Sequence, residues 1–168
     1  MAPADQRPDE SPCPPRRPRW PVGARCVSSW PSSPAVLARP LVARVATRGP
    51  TGRPVWYLWQ DHAFWVLTGP WTKLFTRVRA DPRLALIVGE CDLATGVVGQ
   101  VIARGRGELL PFDVPRGGRT LARYLGADEN RWDERFRRYL HDDPDSRGTV
   151  WLRVTAESVI VEDLSYSV

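Results

Sequence analysis

The sequence is poor in several residue types that carry catalysis or bind metal ions. Its 168 residues include one lysine (Lys73), two histidines (His62 and His141) and three cysteines. So few histidines give no basis for a Ser-His-Asp or Cys-His catalytic arrangement. An odd number of cysteines, without a Cys-x-x-Cys motif or a histidine cluster, predicts neither a disulfide framework nor a zinc site. We therefore expect a cytoplasmic protein without a bound metal.

Long hydrophobic runs and phosphate-binding glycine loops are also missing. The short apolar runs predict no transmembrane helix. No Gly-x-x-x-x-Gly-Lys loop is present, and Gly105-Arg106-Gly107 lacks the third glycine of a dinucleotide-binding fingerprint. The segment Asp142-Asp143-Pro144-Asp145 is interpreted as a charged helix end, and the other carboxylates are scattered. The sequence thus argues against a self-contained hydrolase, and we name no catalytic residue.

Proline and arginine are concentrated near the start of the chain. Residues 1–40 hold 10 of the 17 prolines. Because proline disfavours regular secondary structure, residues 1–38 are predicted to be a disordered extension and residues 39–168 one folded domain. Arg16-Arg17 is a feature of export signals, but Trp20–Arg25 interrupts the apolar stretch that such a signal needs. A proline-rich ligand for an aromatic groove is a second role to weigh for the extension.

The charge of the chain bears on nucleic-acid binding. Residues 1–40 carry 6 arginines against 3 acidic residues, so they supply +3 of the formal net charge of +5. The remaining residues are nearly balanced. A basic nucleic-acid-binding barrel is therefore the least favoured function class.

From residue 41 onward the pattern predicts a mainly β domain of the α+β class. The β-rich runs are 41–47, 54–59, 63–68, 84–90, 97–110, 149–155 and 158–164. Short turns between the first three predict an antiparallel meander, and Gly105 and Gly107 predict a bulge. Helices are predicted over 73–80, 119–125 and 130–140. About six strands from these runs, with two or three short flanking helices, predict a six-stranded antiparallel barrel.

The segment Thr68-Gly69-Pro70-Trp71-Thr72-Lys73 is the main candidate binding site. It places two hydroxyls, the only lysine and a predicted helix N-terminus, capped by Thr72, within six residues. Free N–H groups and the helix dipole attract an anion, and Lys73 adds a full charge. Upstream, Pro54, Val55 and Trp56 offer a flat apolar wall. The residues favour a phosphorylated planar cofactor, although a plain helix cap with a solvated lysine explains the same pattern.

The order of these motifs resembles the pyridoxamine 5′-phosphate oxidase-like family. The matching segments are Gly52–Trp59, Phe64–Gly69, Thr72-Lys73 and Arg79–Leu86. The resemblance covers about residues 38–110 well and the remainder loosely. It implies a split β-barrel that binds flavin mononucleotide (FMN) between the two protomers of a homodimer.

The resemblance also implies which residues contact the cofactor. They are Arg53, Pro54, Val55 and Trp56 on the second strand, Leu67, Thr68, Thr72 and Lys73 around the helix start, and Gln100 from the neighbouring protomer. Lys73, Thr72 and Arg53 are expected to hold the phosphate. Val55, Trp56 and Thr68 are expected to flank the flavin ring. Leu74 occupies the family's lysine position, so one cationic phosphate contact is missing.

A second departure from the family concerns its C-terminal signature. The Trp-x-Gly-x-Arg-Leu-x-Pro segment of the true oxidases has no counterpart in residues 150–168. The resemblance therefore implies an FMN-dependent oxidoreductase that acts on an unidentified small molecule other than pyridoxamine phosphate. Two alternatives stay open: a reductase of the same fold that uses a deazaflavin (coenzyme F-420), and a flavin-binding module without turnover.

Overall fold

The computed structural model describes residues 25–26, 33–49, 51–141 and 148–167. The strands are β1 (Arg25–Cys26), β2 (Ala43–Thr47), β3 (Thr51–Val55), β4 (Leu58–Gln60), β5 (Ala63–Thr68), β6 (Arg83–Asp92), β7 (Val97–Pro111) and β8 (Val150–Asp163). The helices are α1 (Ser33–Leu37), α2 (Lys73–Ala80), α3 (Val114–Leu125) and α4 (Glu134–His141), with a 3-10 turn at Glu129–Arg131. None of these helices is long and apolar enough to cross a membrane.

All described strands belong to one curled sheet. The strand order is β3-β2-β6-β7-β8-β5-β4, and β1 pairs in parallel with the last part of β8. β3 and β4 lie at opposite edges of this sheet, yet only Trp56 and Tyr57 separate them in the chain. The sheet must therefore curl back on itself. This arrangement confirms the predicted fold class, a mainly β split barrel with a few short helices.

The strand count and the order of the first strands differ from the prediction. Eight strands are described rather than six. The predicted strand 54–59 is two strands, and the first three β-rich runs do not form a meander. Instead β2–β3 and β4–β5 are separate hairpins, because the chain crosses between the sheet edges at Trp56-Tyr57.

The two strands predicted at the C-terminal end of the domain are one strand, β8. Its interruption is a bulge, because Arg104 pairs with Ser158 while Gly105 pairs with Ala156, leaving Glu157 as the extra residue. A Cβ atom at Gly105 would lie 2.0 Å from the carbonyl oxygen of Thr155. The irregularity predicted at Gly105 is therefore confirmed, and it requires glycine, although the extra residue belongs to β8. No register shift occurs at Gly107, which pairs with Val154.

The helix predictions are confirmed for α2 and shifted for the others. α2 spans the predicted residues, and Thr72 caps it. α3 begins at Val114 rather than residue 119, because the Asp113 side chain accepts a hydrogen bond from the N–H of Arg116 (2.8 Å) and so caps an earlier start. The predicted helix 130–140 is divided into the 3-10 turn and α4.

The barrel encloses an aliphatic core that reaches further towards the N-terminus than predicted. Val36 and Leu37 of α1 are fully buried in it, although the prediction placed them in the disordered extension. Arg25 and Cys26 pair with Ile160 and Val161 of β8. The boundary predicted at residue 38/39 therefore does not hold. The predictions for residues 1–24 and 27–32 fall outside the described residues.

Helix α3 is fixed to the barrel by the hydroxyl of Tyr124. This hydroxyl accepts the backbone N–H of Tyr57 (3.1 Å) and donates to the carbonyl oxygen of Leu41 (2.8 Å). Tyr57 has no strand partner for its N–H group, since it lies between β3 and β4. These hydrogen bonds thus give the backbone N–H of Tyr57 a partner at the chain crossing and hold α3 over the sheet.

Candidate functional site

The residues of β5 alternate between two environments. Phe64 and Val66 face the aliphatic core, whereas Trp65 and Leu67 pack with Trp151 of β8 on the outside of the sheet. Leu67 and Thr68 are neighbours in the chain and consequently face opposite sides. The predicted cofactor residues are therefore divided between the helix start on one side and the outer face on the other.

The turn before α2 is held by a network of hydroxyls. The Thr72 hydroxyl donates to the carbonyl oxygen of Gly69 (3.0 Å) and accepts the N–H of Phe75 (3.1 Å). Since a hydroxyl has one proton, the 2.7 Å contact between Thr68 and Thr72 must use the proton of Thr68. Neither hydroxyl has a proton left for a ligand, so these side chains order the turn rather than hold an anion.

Donors for an anion remain at the backbone and on Lys73. The N–H groups of Lys73 and Leu74 precede the first intrahelical hydrogen bond of α2, and Thr72 caps only Phe75. The side chain of Lys73 is exposed, so its ammonium is accessible. Leu74, at the family's lysine position, is only 4% exposed and packs in the core. That position is therefore unavailable to a cofactor.

Arg53 lies on a strand face that approaches α2. The Arg77 guanidinium donates to the hydroxyl of Thr51 at the start of β3. Arg53 is two residues further along β3 and so shares the face of Thr51. Lys73 is one helical turn before Arg77 and shares its face of α2. Because Arg77 contacts Thr51, the face of α2 that carries Lys73 and Arg77 lies beside the face of β3 that carries Arg53.

A buried hydroxyl without a partner lies near the same turn. Thr149 is 2% exposed, and its hydroxyl has no hydrogen-bond partner among the described residues. A Cβ atom on the preceding Gly148 would lie 3.2 Å from the Pro70 ring, which places this segment against the turn. Val150 pairs with Thr68, so Thr149 lies at the level of Gly69. An unsatisfied hydroxyl at this position is consistent with a polar ligand.

The outer face carries a cavity of about 240 Å³ between the sheet and helices α3 and α4. Three of the predicted cofactor residues, Val55, Trp56 and Leu67, line it. The other lining residues are Phe112, Gly117, Thr120, Leu121, Phe136, Tyr139, Leu140 and Trp151. The wall is thus largely apolar and aromatic, as expected for a site that binds a planar ring.

Two of the residues predicted to form a flat apolar wall have other environments. The Trp56 ring already stacks on Tyr124, with centroids 4.8 Å apart and planes within 4°, and on Phe136 at 5.4 Å. Much of its face is therefore occupied within the chain. Pro54 is exposed and lies on the opposite face of β3 from Arg53. Val55 and Leu67 remain available to a ligand.

Trp151 has a buried polar atom that the fold leaves unsatisfied. The side chain is fully buried, stacks on Phe112 at 5.7 Å and contacts Trp65 edge to face. Its indole N–H has no partner among the described residues. By contrast, the indole N–H of Trp65 donates to the carbonyl oxygen of Gln60 (3.1 Å), and that of Trp132 to Gly126 (2.8 Å).

Gln100 lies nearer to the β3 residues of the predicted site than to Leu67. The pairs Val55–Ala43, Ala43–Val88 and Val88–Val101 place its neighbour Val101 three strand spacings from Val55, about 14 Å at about 4.8 Å each. The Gln100 amide donates to a carboxylate oxygen of Glu162 (2.5 Å). The contribution of Gln100 from a neighbouring protomer stays a prediction.

Burial shifts the pKa of two tyrosines between the barrel and α3. Desolvation raises the pKa of Tyr57 well above its usual range, an effect opposed by the nearby Arg123 guanidinium. Desolvation also raises the pKa of Tyr124. Both hydroxyls therefore stay protonated at neutral pH and serve as structural hydrogen-bond donors.

Sequence reasoning missed several residues near the cavity and the turn. Trp151 and Thr149 lie on the last strand, and their position beside Leu67 and Gly69 depends on the pairing of β5 with β8. Arg77 is the first arginine on the helical face of Lys73, so spacing along the predicted helix could have identified it. The strand pairing has no comparable local signal.

Comparison with known proteins identifies the family. The family model described as pyridoxamine 5′-phosphate oxidase matches residues 33–162. None of the curated proteins compared with the sequence matches it. A conserved hypothetical protein from Mycobacterium tuberculosis shares 21% identity, covering 79% of this chain and 84% of its own, with a TM-score of 0.60.

Two further solved structures share the fold. A FAD-binding protein from Mesorhizobium loti is 21% identical, with coverage of 75% and 88% and a TM-score of 0.53. An F420 reductase is 18% identical, with coverage of 77% and 98% and a TM-score of 0.53. The family match spans most of the chain and agrees with the curled sheet and the placement of α2. The chain belongs to the pyridoxamine 5′-phosphate oxidase family.

Proposed function

We propose that the protein is a homodimeric oxidoreductase that binds a flavin-type cofactor, FMN in the first instance, and acts on a small molecule. The observation that carries this proposal is the turn before α2, which offers backbone donors and Lys73, lies level with the unsatisfied Thr149 hydroxyl and directly follows Leu67, a residue that lines an aromatic cavity. One end of this site suits a phosphate and the other a planar ring. Family membership is consistent with such a ligand.

The phosphate end differs from the arrangement that the sequence implies. Backbone N–H groups at the start of α2 and the Lys73 ammonium are the donors, with Arg53 and Arg77 on neighbouring faces. Thr68 and Thr72 hold the turn in shape through their own hydrogen bonds. Arg77 supplies a cation close to the helix start in a chain where Leu74 replaces the family's lysine.

The ring end is the part of the outer face next to Leu67 and Val55. Apolar walls there exclude water from a bound ring, and the helices α3 and α4 cover it. A flavin or deazaflavin supplies the hydride chemistry when bound, while the protein binds, orients and shields it. No side chain is assigned as a proton donor or acceptor.

The homodimer is supported by the outer face of the sheet. Ile87, Ile102 and Ile160 pair directly across three neighbouring strands and form a partly exposed apolar row. Gln100 lies two residues from Ile102 on the same face. A second copy that covers this row would bury it together with the neighbouring Gln100.

The dimer has a direct test. Ile102→Glu places a charge in the middle of the row and is expected to give a monomer by sedimentation, with weakened FMN binding. Thr155→Glu, at an exposed position of β8, is the control and should stay dimeric. A wild-type protein that sediments as a monomer would refute both the dimer and the shared site.

The cofactor is tested by spectra and titration. Purified protein is examined for a copurified flavin by its visible absorption, and the apoprotein is then titrated with FMN and with the deazaflavin F420. Saturable binding of FMN is expected. Preference for F420 would favour the reductase alternative, which the likeness to an F420 reductase brings into consideration. Failure of both to bind overturns the proposal.

Turnover separates an enzyme from a binding module. A loaded protein whose cofactor is reduced or reoxidised by small-molecule donors or acceptors is an oxidoreductase. Tight binding with a cofactor that stays inert to all of them would instead identify a module for storage or sensing. The cytoplasmic location stays a prediction from the sequence.

A further inference from the structure

The outer face of the sheet carries a second depression, whose lining residues are all different from those of the ring end. It is an open groove of about 540 Å³ that includes the small side chains of Ala46 and Ala85 in its lining. Three arginines and two carboxylates also line it, so one positive charge is in excess. Pockets for small molecules have mostly apolar walls, whereas this wall is largely charged. The groove therefore suits a charged protein surface better than a planar ring.

One arginine of the groove is free to bind a partner. The Asp81 carboxylate accepts hydrogen bonds from the Arg83 guanidinium (2.7 and 2.9 Å) and lies 3.8 Å from that of Arg48. Arg104, in contrast, is exposed and has no hydrogen bond or ion pair among the described residues. The second carboxylate of the groove, Glu157, therefore does not neutralise it. Arg104 offers a full positive charge to whatever covers the groove.

A carboxylate without a counter-ion lies on the opposite side of the apolar row of isoleucines. Along β7, Gln100 and Arg104 each lie two residues from Ile102 and share its face. Ala85 of the groove pairs with Arg104, and Glu162 of β8 pairs with Gln100. The groove and its cation therefore lie on one side of the row, and the Glu162 carboxylate lies on the other.

The Glu162 carboxylate has an oxygen available to a partner cation. Its Oε2 atom accepts the Gln100 amide (2.5 Å), a neutral donor that leaves the negative charge in place. Glu162 is half-buried and forms no ion pair with any described residue. A carboxylate accepts hydrogen bonds at both oxygens, so Oε1 remains open. Each copy of the chain thus presents one unpaired cation and one unpaired anion beside the same apolar row.

Two-fold symmetry determines how this face can meet a copy of itself. Closed homodimers use the same patch of both subunits, related by a two-fold axis. An axis parallel to the strands would set Arg104 beside the partner's Arg104. An axis close to the direction of the row exchanges the two sides and sets Arg104 against the partner's Glu162, twice in each dimer. Like charges across an interface oppose association, so charge complementarity favours the second axis.

We infer that the protein dimerises across the apolar row about an axis close to that row, with Arg104 of each protomer bound to the partner's Glu162 at the groove. The inference rests on the homodimer of the proposed function and specifies its geometry. The isoleucines meet at the centre of the interface. The small side chains of Ala46 and Ala85 leave the space that the partner's Glu162 and the partner's Gln100 occupy.

Charge reversal with rescue tests the pairing. The dissociation constant of the dimer is measured by sedimentation of the full chain for Arg104→Glu, for Glu162→Arg and for the variant that carries both. Each single reversal removes two symmetry-related ion pairs and should raise this constant about 100-fold, about tenfold for each pair. The double variant restores opposite charges and should recover most of the wild-type affinity. Unchanged constants in the single variants, or no recovery in the double variant, overturn the inference.

Matched controls separate a specific ion pair from an effect of net charge. Arg106→Glu makes the same change as Arg104→Glu two residues further along β7, at an exposed position that does not line the groove. Glu157→Arg makes the same change as Glu162→Arg but adds its positive charge to the groove. Neither control is expected to weaken the dimer. An equal loss of affinity in Arg106→Glu and Arg104→Glu would overturn the inference.

Flavin titration of the same proteins separates this inference from the proposed function. A wild-type dimer whose affinity is the same in both single reversals refutes the ion pair and leaves the proposed function standing. A dimer that follows the charge pattern but binds neither FMN nor F420 supports the ion pair and refutes the proposed function. A wild-type protein that sediments as a monomer overturns both the homodimer and this inference, and leaves the groove to an acidic ligand.

Discussion

The two faces of β8 differ in their side chains and in how fully their polar atoms are hydrogen-bonded. The inward side chains Leu152 and Val154 are fully buried, aliphatic and surrounded by the barrel core. The outward side chains Thr149, Trp151 and Arg153 each carry a buried polar atom without a partner among the described residues. Since unsatisfied buried polar atoms lower stability, the outer face is not optimised for folding alone. This difference supports the proposal that the inner face stabilises the barrel while the outer face contributes the ring end of the ligand site.

A substitution on the inner face of β8 has the largest expected effect on stability. Leu152→Ala should lower the free energy of unfolding by about 2–5 kcal/mol, because it leaves a cavity in the aliphatic core. FMN affinity of the folded fraction should stay unchanged. Denaturant unfolding and flavin titration check the two parts. Weakened FMN binding at full folding would contradict the division between the faces.

Charge removal at the helix start should affect binding and not stability. Lys73→Gln is expected to weaken FMN about tenfold, because a charge-assisted contact contributes about 1.5–3 kcal/mol in a favourable case and less at an exposed site. The matched control is Arg79→Gln on the same helix, where the guanidinium lies over the Phe75 ring. Fluorescence titration of FMN with both variants measures the difference. An equal loss of FMN affinity in the two variants would mean that the effect comes from the overall positive charge of the helix and not from a contact of Lys73.

Substitutions of two buried threonines are expected to have smaller effects on the free energy of unfolding, and they test whether the Thr149 hydroxyl lacks a partner. Thr68→Val removes a hydroxyl bonded to Thr72 and should cost about 0.5–1.5 kcal/mol of stability. Thr149→Val removes a hydroxyl without a partner and should be neutral or stabilising. Urea unfolding of both variants decides between them. If Thr149→Val proves the more destabilising, the Thr149 hydroxyl has a partner and does not mark a ligand site.

Alkaline pH should lower the stability of the fold through the buried Tyr57 hydroxyl, which donates to the carbonyl oxygen of Leu37 (3.3 Å). The pKa of Tyr57 is raised in the folded state, so the unfolded chain loses this proton first as pH rises above about 10, and stability falls from there upward. The melting temperature is measured from pH 8 to 11. Tyr57→Phe should flatten the decline, while Tyr166→Phe at an exposed position should not. Identical slopes in all three proteins would contradict this role of Tyr57.

Local signals in the sequence were enough for the elements and for one end of the site. The predicted Thr72 cap and the predicted bounds 73–80 both hold for α2, and the structure buries its Leu74 and Val78. The sequence does not indicate which strands pair over long distances. Trp56 and Tyr57 favour β structure, so the crossing was predicted as part of one continuous strand over 54–59.

The same limit applies to the candidate site. Spacing led to Thr72 as a phosphate ligand and to Thr68 as a residue beside the flavin ring, but the protons of both hydroxyls are used within the turn. The Trp151 N–H and the Thr149 hydroxyl became visible only through the pairing of β8 with β5. Burial without a partner is a three-dimensional property that depends on every neighbouring element.

The most direct test of the central claim compares FMN with riboflavin, which lacks the phosphate. Both are titrated against the apoprotein, and the flavin fluorescence is followed. If the helix start and Lys73 hold a phosphate beside a ring site, FMN should bind at least tenfold more tightly than riboflavin. The gap should shrink in Lys73→Gln. Equal affinity for the two flavins, or no binding of either, would contradict the account.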